Sequence, residues 1–276
     1  MKTKIIFSLF IALFMISCSE EILDVPNENA YNGETFFTTP AAFEEAATAM
    51  YSPLLHQGMY AREFYFIFDL LGNDAAKNFP LVGGLLDLPL YTHTPNNNEI
   101  SYLFNACYKI IFRTNFVIDQ IENWEPLNDT EIKQRDRING EALFLKSYAH
   151  FLLVTLWGDV PLKNTVEDHA ILHDERVSKV DIWASIETDL KNAIQLLPVS
   201  YDAVNEGHAT KGAAVGLLGK SYLYQKKYPE AITELSKLTE APYNYSLAPS
   251  LDDLFVNEEN TNETVFAVLH SEWQGW

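Results

Sequence analysis

Cysteine is nearly absent from this sequence, because the 276 residues include only Cys18 and Cys107. If the thiol of Cys18 is modified, no disulfide can form, and the fold must then be held by its hydrophobic core. The composition allows such a core, since 47% of the residues are hydrophobic and 13% are aromatic. A chain of this length and composition can build one large domain or two modest ones.

Positive charge is also scarce, with 19 basic residues against 38 acidic ones and a formal net charge of −19. Loss of Lys2 and Lys4 with an N-terminal leader would take this charge from −19 to −21. A surface of that sign repels nucleic acid and anionic lipid headgroups. We therefore expect no nucleic-acid partner.

Long apolar runs are missing apart from residues 5–16, which are too short for a bilayer-spanning helix. Lys2 and Lys4 precede this run and the small residue Ser17 follows it, which is the layout of a signal peptide over residues 1–17. The sequence Met-Ile-Ser-Cys resembles the lipobox of bacterial lipoproteins, in which the cysteine is acylated and becomes the first mature residue. We expect lipid attachment at Cys18 and a tether over residues 18–38; a secretory signal cleaved elsewhere is the alternative.

Catalytic motifs are lacking as well, since the sequence has no Gly-rich phosphate loop and no serine in a nucleophile elbow. His169 and His173 are spaced as metal ligands on a helix would be, but no glutamate follows the first histidine, and a solvated loop explains them equally well. The neighbouring carboxylates Asp252 and Asp253 point apart rather than across a cleft. We expect no catalytic residue, no metal and no cofactor.

Helical periodicity dominates the rest of the chain and predicts a mainly α fold. Thr39 and Pro40 are typical of a helix start, and Asn128 with Glu131 forms a capping pattern. Apolar residues at three-to-four spacing predict helices after Thr39, near Arg62–Leu71, over 100–121, from Asn128 to 156, and from Ser178 to 197.

A tetratricopeptide-like pattern follows in residues 218–238, with Leu218, Gly219 and Tyr222 on a first helix and Ala231 on a second. A small residue would let the two helices approach closely while the tyrosine fills the space beside it. We predict a helical hairpin on which earlier helices stack, with an ordinary αα-hairpin as the alternative.

Several motifs, in order along the chain, resemble SusD/RagB-type outer-membrane nutrient-binding lipoproteins. They are GEALFLKSYAHFLLVTLWGDVPL at 140–162, IETDLKNAIQLLP at 186–198, ATKGAAVGLLGKSYLY at 209–224 and the stretch 244–268. The resemblance implies tetratricopeptide-like hairpins with long irregular loops. It also implies a surface-exposed lipoprotein, anchored in the outer membrane, that captures oligosaccharide for a SusC-like TonB-dependent transporter. Peptide capture and a protein-interaction scaffold are the alternatives.

The resemblance also implies that residues 39–276 are the N-terminal helical region of a fold about twice as long. The apolar alternation of Val265, Ala267 and Leu269 resembles an unfinished strand, so we expect the C-terminal half of the family fold to be missing.

A candidate sugar site lies in the long loop between Gly72 and Glu99, because it collects amides, a carboxylate and aromatic rings. Aromatic rings take the C–H faces of pyranoses, while amides and carboxylates bridge neighbouring hydroxyls. Phe79 and Tyr91 could instead simply pin the loop to the core. The predicted ligand residues are Asn73, Asp74, Phe79, Tyr91, His93 and Asn96.

Overall fold

The structure is a computed structural model that describes residues 36–72, 83–170, 174–202, 205–255 and 261–269. Its helices are α1 Pro40–Tyr51, α2 Glu63–Gly72, α3 Asn98–Glu122, α4 Asp129–Trp157, α5 Lys179–Leu196, α6 Lys211–Tyr224, α7 Tyr228–Ser236 and α8 Leu251–Phe255. Short 3₁₀ helices cover Ser52–Leu55, Gly83–Asp87, Glu167–Ala170 and Lys237–Thr239. The prediction of a mainly α fold is confirmed.

The helix starts lie where local sequence chemistry places them. At the N-terminus of α4, the Asn128 side chain accepts hydrogen bonds from the backbone N–H groups of Thr130 and Glu131, both at 3.0 Å. Glu131 in turn accepts from the backbone N–H of Leu127 at 2.9 Å, which completes a reciprocal cap. Side-chain oxygens accept helix N–H groups at all three predicted caps, Thr39, Asn128 and Ser178.

Helix α4 lies at the centre of the packing and contacts α1, α3 and α5. It is buried on nearly all sides over its second half, as expected for a helix that is apolar around its whole circumference. Its buried apolar residues are Ile138, Ala142, Leu143, Phe144, Leu145, Ala149, Phe151, Leu152, Leu153 and Val154. From α3 onward each of these long helices packs on the next one along the chain.

Helices α6 and α7 form the predicted tetratricopeptide-like hairpin. A Cβ atom added at Gly219 would lie 2.6 Å from the Leu235 side chain, so the two helices approach where only glycine leaves room. Tyr222 is 7% exposed and Ala231 is 2% exposed, which places both in the contact between the helices. The hairpin stacks on α5, as a repeat unit that cannot bury its face alone requires.

The expected strand near Val265 is not found, because residues 261–269 form no ladder with any segment that the structure describes. A residue between these apolar positions packs on the helices instead: the ring of Phe266 lies edge-to-face on Phe144 of α4, with centroids 5.1 Å apart. Extended backbone without a neighbouring strand remains irregular, although its apolar side chains can still pack on the helices.

The leader 1–17, Cys18 and most of the tether 18–38 lie outside the described residues. Among the helices that are described, none has the length and apolar character required to cross a membrane. The anchor therefore stays a prediction from the sequence.

Candidate functional site

The loop between α2 and α3 holds three predicted ligand residues within the described part of the chain. Tyr91 is 58% exposed and has a positive φ of 53°. Its hydroxyl donates to the backbone oxygen of Leu71 at 2.6 Å, so the tip of the side chain is tied to the end of α2. Asn96 is exposed, whereas His93 is half-buried. Asn73, Asp74 and Phe79 lie outside the described residues.

Asn97, which sequence reasoning missed, organises this loop. Its side chain is buried, caps α3 by accepting from the N–H groups of Glu99 and Ile100, and donates to the backbone oxygen of Gly84 at 2.8 Å. One amide therefore joins the start of α3 to the 3₁₀ helix Gly83–Asp87. An asparagine directly before a helical pattern was the available signal.

His93 is the predicted ligand residue that lines a groove of about 660 Å³, which we call the Trp157 groove. Phe104 of α3 and Trp157, the last residue of α4, line it as well, with their rings edge-to-face and centroids 5.2 Å apart. The other lining residues are mostly apolar: Ile67, Leu71, Thr94, Pro95, Ile100, Ser101, Asn105 and Leu156. The structure thus brings His93 to aromatic rings that the loop sequence did not supply.

The Trp157 groove contains no Asp, Glu, Lys or Arg among its described lining residues, although the chain carries a formal charge of −19. A charged ligand would find no counter-ion there, whereas a neutral ligand with apolar faces loses little hydration free energy when it enters the groove. The Nδ1 atom of His93 is buried and has no hydrogen-bond partner among the residues that the structure describes. The groove is therefore suited to an uncharged ligand.

Trp157 is positioned by the turn that ends α4. Gly158 has a φ of +73° and its N–H returns to the oxygen of Val154 at 3.1 Å, so the chain leaves the helix directly after the tryptophan. Asp159 accepts the backbone N–H of Lys179 at 2.8 Å and thereby joins this turn to the start of α5. Gly158 and Asp159 of the Trp-Gly-Asp motif thus fix the turn that follows α4.

A second polar group, the Glu141 cluster, comprises Glu141, Arg137, Tyr51, Tyr201 and His208. Oε1 of Glu141 accepts from Arg137 at 2.6 Å and from Tyr201 at 2.9 Å, while Oε2 lies 3.1 Å from the Tyr51 hydroxyl and 2.9 Å from Nδ1 of His208. The Glu141 side chain is fully buried. Burial, and next the charge of Glu141, raise the pKa of Tyr201. The cluster joins α1, α4 and the segment before α6.

The described residues contain no group of three or more His, Cys, Asp or Glu side chains able to hold a metal ion. The side chain of His169 and the whole of His173 lie outside the described part of the chain, so the structure does not test their spacing.

Comparison with known proteins decides the family. A family model for SusD-like proteins, described as "Starch-binding associating with outer membrane", matches residues 21–223. The chain belongs to the SusD-like family. A SusD-like protein from Bacteroides ovatus is 26% identical, over 99% of this chain and 50% of the relative. The family membership predicted from the motifs is confirmed.

Solved SusD-like structures share the fold. A SusD superfamily protein from Bacteroides vulgatus has a TM-score of 0.76 and 28% identity, over 85% of this chain and 50% of the other. A laminarin-binding SusD-like protein has a TM-score of 0.70 and 23% identity, over 82% and 50%. The chain spans about half the length of the curated relatives it matches.

Two of the SusD-like motifs meet in the core of this chain. Lys146, from the motif at 140–162, forms a salt bridge of 2.9 Å with Asp189, from the motif at 186–198. Burial raises the pKa of Asp189, against the opposing charge of Lys146. The pair therefore joins α4 to α5 at a position where both charges are largely removed from water.

Proposed function

We propose that this chain is part of a cell-surface lipoprotein that binds an oligosaccharide in the Trp157 groove and delivers it to a SusC-like TonB-dependent transporter. The observation that carries the proposal is the uncharged groove in which Trp157, Phe104 and His93 meet. The description of the family as starch-binding supports the ligand class, as does the laminarin-binding relative that has the same fold.

The chemistry of the groove suits a sugar held by one face. A pyranose presents a face of C–H groups that packs on an indole or phenyl ring. Each hydroxyl exchanges a hydrogen bond to water for one to protein, a net gain of about 0.5–1.5 kcal/mol. Stacking therefore contributes much of the affinity, and binding by this half of the fold is expected to be weak.

A glycan and peptide array, followed by calorimetry on the retained ligand, tests the groove. Trp157→Ala should weaken binding by roughly 0.5–1.5 kcal/mol beyond the loss of buried area. Phe112→Ala is the matched control, because Phe112 lies on α3 and is exposed but does not line the groove. Tyr91→Ala tests the predicted loop residue separately.

The outcomes distinguish the alternatives. Retention of peptides alone would move the proposal to peptide capture, and product release from an intact glycan would indicate an enzyme. Unchanged affinity in Trp157→Ala would remove the groove from the proposal while leaving glycan binding in place. Delivery is tested by co-purification with a SusC-like TonB-dependent transporter, and failure to co-purify would count against it.

Anchoring through Cys18 forms a separate part of the proposal and is supported by the leader pattern. Acyl chains stabilise membrane attachment by about 0.8 kcal/mol per buried CH₂, and two or more chains make it durable. Cys18→Ala should therefore release the chain from the membrane and abolish labelling by a fatty-acid analogue. Labelling that persists in Cys18→Ala would refute attachment at this residue.

A further inference from the structure

A second cavity, of about 430 Å³, lies between the segment before α6 and the segment 264–269. We call it the Tyr245 cavity. Its size falls within the range of roughly 300–1,000 Å³ found for small-molecule sites. In contrast to the Trp157 groove, many of its lining side chains are polar, among them Tyr201, Asp202, Glu206, His208, Tyr245 and Thr264.

The ring of Tyr245 is held in place by a glycine of α6. A Cβ atom added at Gly212 would lie 2.5 Å from the Tyr245 hydroxyl oxygen and 2.7 Å from ring atom Cε2. The tyrosine therefore lies against the helix backbone where a larger residue would displace it. Its own backbone N–H donates to the oxygen of Leu238 at 2.9 Å. An aromatic surface fixed in this way loses little side-chain entropy when a ligand stacks on it.

His208 is oriented by the Glu141 cluster. Its Nδ1 atom lies 2.9 Å from Oε2 of Glu141, and its ring packs near those of Tyr51 and Tyr201, at centroid distances of 5.0 Å and 5.6 Å. Because the two ring nitrogens point in different directions, Nε2 is directed away from Glu141. It is the polar atom that His208 can offer to a ligand.

The charges around the Tyr245 cavity favour a neutral ligand rich in hydroxyls. Asp202 and Glu206 supply carboxylate acceptors, and no Lys or Arg is among the described lining residues, so an anion is disfavoured. Thr210, which caps α6, also lines the cavity, and the positive end of that helix offsets part of the carboxylate charge. An anionic ligand is therefore disfavoured, whereas the hydroxyls of a neutral sugar can donate to the carboxylates.

We propose that the Tyr245 cavity is a second saccharide site, which takes one neutral sugar ring stacked on Tyr245, with its hydroxyls donating to Asp202, Glu206 and Nε2 of His208. The proposal rests on the proposed glycan-binding function only for the class of ligand. Its residues are separate from those of the Trp157 groove, so the two sites succeed or fail independently.

Saturation-transfer NMR on the purified chain tests this site, with the methyl glycosides of glucose, galactose and N-acetylglucosamine as probes. Tyr245→Ala should weaken binding of at least one probe about three- to tenfold. Gly212→Ala should have a similar effect, because its Cβ displaces the Tyr245 ring. Tyr243→Ala is the matched control, since this half-buried tyrosine lies two residues away and does not line the cavity.

Glu206→Gln keeps the shape of the side chain and removes its charge, so it should also weaken binding even where Gly212→Ala fails to fold. Circular dichroism confirms that each variant keeps its helices. The inference is overturned if no probe shows saturation transfer, or if Tyr245→Ala and Glu206→Gln bind as the parent does. Binding lost only in Trp157→Ala would place the sugar in the groove, which refutes the second site and leaves the proposed function intact.

Discussion

Glu141→Gln should destabilise the fold strongly, because Glu141 is a fully buried carboxylate with four donors around it. A glutamine keeps one acceptor oxygen but presents an amide nitrogen to the donors at the other position. Each buried group left without a partner costs about 1–3 kcal/mol, and removal of one member of a buried ion pair costs about 3–5 kcal/mol. Arg137 keeps its contact with Glu44, which limits the loss at the guanidinium. We expect a loss of about 3–5 kcal/mol in the free energy of unfolding.

Urea denaturation followed by circular dichroism measures this loss directly. For a domain of this size, about 2–4 °C of melting temperature accompanies each kcal/mol, so thermal unfolding should occur roughly 6–20 °C lower. Glu45→Gln is the matched control, because Glu45 is exposed on α1 and its change should stay within about 0.5 kcal/mol. If Glu141→Gln loses less than about 1 kcal/mol, a value within the ordinary spread for single substitutions, the buried cluster does not hold the fold as argued.

Three further outcomes are expected. Lys146→Met should lower the free energy of unfolding by about 3–5 kcal/mol, because it leaves Asp189 charged and buried. Adding Asp189→Leu should recover most of that loss in urea titrations, and a double variant as unstable as the single one would contradict this. Burial alone raises the pKa of Glu187, but hydrogen bonds from Lys227 and Gln225, with the charges of Lys227 and Lys191, lower it below 4.5 overall. Its contribution to stability is therefore present above pH 4.5 and lost as the pH falls below it, so the melting temperatures of Glu187→Gln and the parent should differ at pH 7 and converge in acid. Burial raises the pKa of Cys107 to about 12, so in Cys18→Ala a thiol reagent at pH 8 should label Cys107 only after denaturation, and rapid labelling of the native chain would contradict its burial.

The helices and their starts were predictable because their determinants are local. A cap such as Asn128 bonds to N–H groups two and three residues away, so a short stretch of sequence contains both partners. The hairpin of α6 and α7 was likewise predictable, since the contact between Gly219 and Leu235 joins residues that are close in the chain. Apolar spacing then indicated which faces turn inward.

The ligand residues were harder to predict because composition does not fix the direction of a side chain. Three consecutive asparagines, Asn96 to Asn98, stand at the start of α3, and which of them is buried depends on the residue at which the helix begins. Asn97 became the cap and is buried, whereas the predicted Asn96 is exposed. A shift of one residue therefore separates a structural amide from one available to a ligand.

The Trp157 groove joins residues that are far apart in sequence. His93 and Trp157 both line the groove, yet they are 64 positions apart in the chain. Trp157 lies within the family motif at 140–162, but nothing in that motif marks it as a ligand residue. Its exposure to a groove depends on where α4 ends relative to α2, which is set by tertiary packing and not by any local pattern.

The Glu141 cluster links stability to the second proposed site. Oε2 of Glu141 holds Nδ1 of His208, and Oε1 holds the hydroxyl of Tyr201, so two walls of the Tyr245 cavity depend on one carboxylate. None of the groups lining the Trp157 groove bonds to Glu141 among the described contacts. A change at Glu141 should therefore reach the cavity through His208 and Tyr201 while the groove keeps its geometry. Folding stability and the orientation of His208 and Tyr201 depend on the same two oxygens. Loss of sugar binding in a Glu141 variant therefore does not identify a ligand contact. Direct evidence must come from variants of Tyr245 and Glu206, which lie outside the cluster.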